Sequence, residues 1–224
     1  MNDDEKQNFL DNLEDKIRTT DDDLTDDEFL TLAALSQDSD SYYRVCVAEI
    51  LVDFPEGQGE QILLNLTKDK IPLVRTFACE SLGYNYSIAV YNRLKKIISR
   101  DKDCIVRGFT ATSLANIAYE LEIEERCLTF LFRILQKEKV TFTKICLYSA
   151  LYTLGEKEYL YLLENEINTV KYQNRNAVIN CFRDIISDDN RDFIKSTLIS
   201  RKEVETTISV NSSIDALLKD ISAD

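Results

Sequence analysis

The sequence predicts an all-α fold, a right-handed α-solenoid of about five to six stacked helix pairs. Three observations carry this reading. Asp38, Asp69 and Asp101 are each followed six residues later by Arg44, Arg75 and Arg107, and seven residues further by Leu51, Leu82 and Leu114. The arginines stand 31 and 32 residues apart, a period typical of helix pairs stacked in one dimension. Five Gly and two Pro are too few for a β-protein rich in tight turns. A hydrophobic share of 44% is enough to bury a continuous core.

The elements follow in order. Residues 4–18 place Phe9, Leu10, Leu13 and Ile17 on one helical face, and Asp21-Asp22-Asp23 breaks that helix. Thr25 and Glu28 form a capping box for a helix carrying Phe29, Leu30, Leu32, Ala33 and Leu35. Asp26, Asp27 and Glu28 occupy its first turn, where the helix dipole favours them. A helix is expected from Tyr42 to Phe54, then a turn at Pro55-Glu56-Gly57 and a helix marked by Ile62, Leu63, Leu64 and Leu66. Pro72 suits the first turn of the next helix, whose missing N–H costs little there, and Gly83 is a plausible stop. Helices are expected over Ile88–Arg100, Cys104–Glu120, Ile123–Lys137 and Phe142–Leu154. Lys144 takes the arginine position 37 residues after Arg107, the longer step being absorbed around Glu120–Glu125. Arg175 follows 31 residues later, with Phe182 in the leucine position. Asp189–Ser200 reads as a first helix and Ser212–Ile221 as a closing helix. The expected organisation is one continuous domain: acidic capping helices at 1–40, the repeat core at 41–200, and a capping segment at 201–224.

The stretches DKIPLVRTFACESLG at 69–83 and DKDCIVRGFTATSLA at 101–115 resemble the D-x-x-x-x-V-R-x-x-A-x-x-x-L pattern of HEAT repeats, in their short bacterial, phycobilin-lyase-like form. The copy at 38–52 matches less closely, with Tyr43 in place of valine. The resemblance implies HEAT-like helix pairs whose second helices line a concave binding face. It also implies a charged ladder between repeats, in which the arginine reaches aspartates or carbonyls of the adjacent repeat while the aspartate caps a second helix.

Net charge is −13, and it is unevenly placed. Residues 1–40 hold 14 Asp/Glu against 3 Lys/Arg, whereas 68–144 hold 9 acidic and 14 basic residues. The acidic start is explained by a first repeat that lacks a neighbour and must stay soluble. With no histidine, Ser-His-Asp and Cys-His nucleophile pairs and His-ligated metal sites are excluded. The opening residues lack the basic and apolar regions of a secretory signal, and no apolar run approaches a membrane span of about 20 residues. A cytoplasmic protein is expected, monomeric by itself. The six cysteines, Cys46, Cys79, Cys104, Cys127, Cys146 and Cys181, form no C-x-x-C pair and read as small core residues in a reducing compartment.

Counted from each arginine, residues two, three, six and seven later are core-like, as in Cys46, Val47, Ile50 and Leu51. Five later stand Glu49, Glu80, Thr112, Ser149 and Asn180. Eight later stand Val52, Gly83, Ala115, Tyr152 and Arg183. If second helices line the concave face, these residues form its floor. The candidate partner-binding set is therefore Glu49, Glu80, Thr112, Tyr148, Ser149, Tyr152, Asn180 and Arg183. Its tyrosines offer large contact area at little entropic cost; an ordinary solvated face is the plainer alternative. Arg93, Lys95, Lys96, Arg100 and Lys102 form the densest basic cluster, expected on the convex side, with no phosphate-binding glycine loop beside it.

The expected function is non-catalytic: an adaptor or scaffold, one version being a toxin-occluding immunity protein, that grips another protein, possibly a basic one. No catalytic residue, cofactor or metal is expected. Nucleic acid and membrane are not the expected partners. The alternatives are a HEAT-like enzyme, either a bilin lyase or a DNA glycosylase, and a nucleic-acid-binding module using the basic middle.

Overall fold

A computed structural model describes residues 1–20 and 22–223. Asp21 of the expected first break and Asp224 of the expected C-terminal cap lie outside it. Among the described residues there are thirteen helices and no strand, so the chain is an all-α solenoid. Helix α1 (Asp3–Thr19) precedes six pairs: α2 (Asp26–Leu35) with α3 (Ser41–Ile50), α4 (Gly57–Leu66) with α5 (Pro72–Ser81), α6 (Ile88–Arg100) with α7 (Cys104–Glu120), α8 (Glu124–Leu135) with α9 (Thr141–Thr153), α10 (Tyr159–Glu166) with α11 (Tyr172–Ile185), and α12 (Arg191–Lys202) with α13 (Ile208–Ala223). None of these helices is long and apolar enough to cross a membrane.

Local chemistry sets the boundaries. The Thr25–Glu28 capping box forms as read from the sequence, and Asn2 with Glu5 forms a second one on α1. Asp103 caps α7 by accepting from the N–H groups of Ile105 and Val106, and Ser87 caps α6 by accepting from Val90. Pro72 sits at the start of α5. Some boundaries differ from expectation: the closing helix spans Ile208–Ala223 rather than Ser212–Ile221, and its predecessor Arg191–Lys202 rather than Asp189–Ser200. The helix that carries Arg44 ends at Ile50 rather than Phe54. Gly83 is no left-handed stop: α5 ends at Ser81, and a 3₁₀ turn at Leu82–Tyr84 follows. A Cβ on Gly83 would lie 3.0 Å from the Ser113 side chain, so this glycine admits the close approach of α7.

The second helices α3, α5, α7, α9, α11 and α13 pack in one continuous row, each against the next, while the first helices are spread more widely. Closer spacing on one side bends the stack and makes that row the inner, concave layer. Hydrogen bonds stitch it. Ser81 donates to the Ala48 carbonyl at 2.7 Å, and Thr143 donates to the Cys104 carbonyl at 2.9 Å. Gly108 serves the same layer, since a Cβ there would lie 2.8 Å from Cys146 Sγ.

The arginine ladder is built rung by rung. Arg44 Nε and Nη2 donate to the Asp69 carboxylate at 2.7 and 3.1 Å, and Nη1 donates to the Asp38 carbonyl at 2.6 Å. Arg75 repeats this with Asp101 and the Asp69 carbonyl, and Arg107 with Glu138 and the Asp101 carbonyl. Lys6 closes the N-terminal end on Asp38 at 2.7 Å. The acid does not cap the second helix as expected. It sits two residues earlier and accepts from the N–H of the helix-capping residue or its turn: Asp38 from Asp40, Asp69 from Ile71, Asp101 from Asp103. Planar guanidinium forks fit this paired geometry, which lysine cannot reproduce. Accordingly the ladder lapses where Lys144 replaces arginine and Thr169 replaces the acid; Thr169 Oγ1 is buried without a hydrogen-bond partner. It resumes with Arg175 on Glu205 at 2.7 and 2.9 Å. The buried core divides into two clusters across this same region.

Candidate functional site

The bend of the inner layer creates a groove of about 560 Å³ over α5, α7, α9 and α11. Of the eight residues expected on the concave floor, Glu80, Thr112, Asn180 and Arg183 line it. Glu49 lies outside, in a neighbouring hollow shared with Glu14, Ile17 and Asp53. Three placements need correction. Ser149 and Tyr152 are buried, because α9 is the most enclosed second helix and packs against neighbours on nearly every face. Tyr152 is a strut whose hydroxyl accepts from Asn190 Nδ2 at 2.9 Å. Tyr148 is half-buried and turned toward the first-helix layer, its ring 5.7 Å from that of Tyr159 on α10.

Part of the groove was not anticipated. Ile105, Phe109, Phe142 and Tyr172 supply an apolar wall, and Asp184 a second carboxylate. Leu73 on α5, Ile105 on α7 and Tyr172 on α11 remain 55%, 43% and 45% exposed. A signal was present in the sequence: Leu73, Ile105 and Phe142 each stand two residues before the arginine position.

Electrostatics sharpen this picture. Burial raises the Glu80 carboxyl above its ordinary range, and the nearby Asp184 and Glu49 charges add to the effect. The curvature of the inner layer thus brings Glu80 of α5 and Asp184 of α11 into the lining of one groove. Burial likewise raises Asp184, with Arg183 opposing, and raises Glu49, with Glu14 adding to it. Among the described residues neither Glu49 nor Glu80 has a salt-bridge partner, and Arg183 reaches toward Asp220 at 4.0 Å. Glu80 is half-buried, whereas Glu49 and Asp184 are exposed and more fully screened by solvent.

The ladder acids behave in the opposite sense. Burial works to raise Asp69, Asp101 and Glu138, but their arginines and turn N–H groups outweigh it and hold all three low. Their stabilisation is complete above the unfolded carboxylate value of about 4 and is lost as pH falls through the lower folded values. For the groove acids, folding carries a cost above their raised folded values, and that cost is relieved as they protonate. Melting temperature followed by circular dichroism is therefore expected to rise slightly on acidification from neutrality, then fall steeply below pH of about 4. A monotonic fall from neutrality would contradict the groove electrostatics.

Five cysteines are buried and Cys104 is partly exposed. Burial pushes Cys79 up to about 12 and Cys127 up to about 11, the reverse of an activated thiolate. In the basic cluster read from the sequence, Lys95 lies against the Tyr91 and Phe130 rings, while Lys96, Arg100 and Lys102 are exposed.

The molecule is thus an α-solenoid with an acidic, apolar-walled inner groove. No family model matches the chain, and no curated protein matches it. Among solved structures, a chain from the complex of CpcE and CpcF of phycocyanin lyase from Nostoc sp. PCC7120 is similar, with a TM-score of 0.44 and 15% identity, over 91% of this chain and 97% of that one.

Proposed function

We propose that the chain is a HEAT-like, non-catalytic adaptor that holds a basic segment of another protein in its inner groove. One observation supports this above the rest: Glu80 and Asp184 line the same groove, with no cation paired to Glu80, beside an apolar wall of Ile105, Phe109, Phe142 and Tyr172. A part-buried carboxylate without a cation, as at Glu80, costs stability, and an incoming Lys or Arg would relieve that cost. The apolar wall would take the aliphatic or aromatic side chains beside it. Such a mixed surface, an apolar patch with charged positions that set register, is typical of protein recognition.

The test is affinity capture from the source lysate with nuclease present, comparing wild type with a Glu80→Lys/Asp184→Lys variant. The expected result is one stoichiometric protein retained by wild type and absent from the variant, with its contact mapped to a basic segment by cross-linking. Retention by both would place the interface elsewhere on the solenoid.

A further inference from the structure

Each ladder acid in the middle of the solenoid is flanked by two cations: Lys68-Asp69-Lys70, Arg100-Asp101-Lys102 and Lys137-Glu138-Lys139. The acid turns inward to its arginine, so its charge is neutralised inside the protein. Its neighbours stay outside. All six cations are exposed, and among the described residues none forms a salt bridge.

The ladder itself aligns these turns. Arg75 bonds the Asp69 carbonyl of one turn and the Asp101 carboxylate of the next; Arg107 bonds the Asp101 carbonyl and the Glu138 carboxylate. With packed helices about 8–10 Å apart, the three triplets form a ridge roughly 20 Å long. The outer turns read Gln37-Asp38-Ser39, Asn168-Thr169-Val170 and Val204-Glu205-Thr206, so the ridge is confined to the middle. Between its second and third triplets lies a hollow of about 630 Å³, floored by Ile98, Phe130 and Ile134. Arg133 joins Arg100, Lys137 and Lys139 on its rim.

We propose that this ridge is a second docking site, for an acidic polypeptide segment carrying a large apolar side chain. The carboxylates pair with the paired cations, and the apolar side chain enters the hollow over Ile98, Phe130 and Ile134. A nucleic acid fits less well. The one aromatic ring in the hollow, Phe130, is covered by Lys95 Nζ at 4.7 Å from its centroid, leaving no open platform for a base. A net charge of −13 also opposes a continuous polyanion more than a short acidic segment. The ridge shares no residue with the inner groove, so the two sites can be filled together, as an adaptor requires.

The probe is a short fluorescein-labelled peptide of glutamates around one central leucine, titrated with the full chain by fluorescence anisotropy. Saturable binding is expected at low ionic strength. It should weaken about tenfold or more in the Lys70→Gln/Lys102→Gln/Lys139→Gln variant and persist in the matching Lys→Arg variant. It should also weaken as salt rises and the Debye length shrinks from about 30 to about 8 Å, weaken when serine replaces the central leucine, and be unaffected by Glu80→Lys. Three results would each overturn the proposal: no saturable binding at low salt, equal binding by the Lys→Gln variant, or tighter binding of a single-stranded oligonucleotide of equal charge.

Discussion

Arg175→Ala is expected to destabilise the protein by about 3–5 kcal/mol, the usual cost of removing one partner from a buried ion pair. Glu205 is fully enclosed, its side chain 0% exposed, and the Arg175 side chain is 8% exposed. Burial works to raise the Glu205 carboxyl, yet Arg175, the Thr207 N–H and Arg201 together hold it well below the ordinary range. Without Arg175, the carbonyls of Thr169 and Val170 lose their donor and Glu205 keeps only Arg201 as a cation, at 2.7 Å. Because the ladder lapses at Lys144 and Thr169, this loss is not shared with the N-terminal rungs. Nearest-neighbour energetics in a solenoid then predict a separate, earlier unfolding transition for α10–α13, seen as a biphasic melt and as early proteolytic release of that end. Arg175→Lys should fall between wild type and alanine, since it keeps the charge but not the fork. A single cooperative transition at the wild-type temperature would mean that the rung contributes nothing.

The regular rungs were readable from the sequence because one spacing encoded both covalent order and contact. Helices α6 and α7 have the predicted ends, since Ser87, Asp103 and the arginine register all point the same way. The same spacing contains the ladder acid Glu138, six residues before Lys144. Glu205 was beyond this reasoning: its own repeat carries Asn211 in the arginine position, where Nδ2 donates to the Glu205 carbonyl at 3.0 Å. Helix α10 leaves little trace in the sequence because it is only eight residues long, with Leu160 and Leu163 its buried residues.

The concave floor was legible only in part, for a geometric reason. Offsets from the arginine give the direction of a side chain around its helix, but not the depth of that helix in the bend. Position five after the arginine is solvated at Glu49, lines the groove at Glu80 and Thr112, and is buried at Ser149. Curvature, a property of the whole stack, decides among these outcomes. It also creates the Glu80–Asp184 juxtaposition, which spans residues more than one hundred apart in sequence and has no local signature.

Glu80→Gln is expected to raise the melting temperature while weakening partner binding, and the pairing of those two signs is the informative part. The substitution keeps the size of the side chain and removes a charge that burial and two neighbouring acids disfavour, so the free protein should gain on the order of 0.5 kcal/mol. That is a rise of about 1–2 °C for a chain of this length. A residue retained only for folding would not be held in a form that costs stability; one retained for a cationic partner would be. Glu80→Lys should go further, placing a like charge against the incoming segment and weakening binding by about a hundredfold or more through a repulsion of several kcal/mol. Calorimetric titration of the captured partner into each variant, beside its thermal melt, reads both quantities. If Glu80→Gln raises the melting temperature and leaves affinity unchanged, the groove carboxylate serves neither folding nor binding, and the basic segment must be held elsewhere.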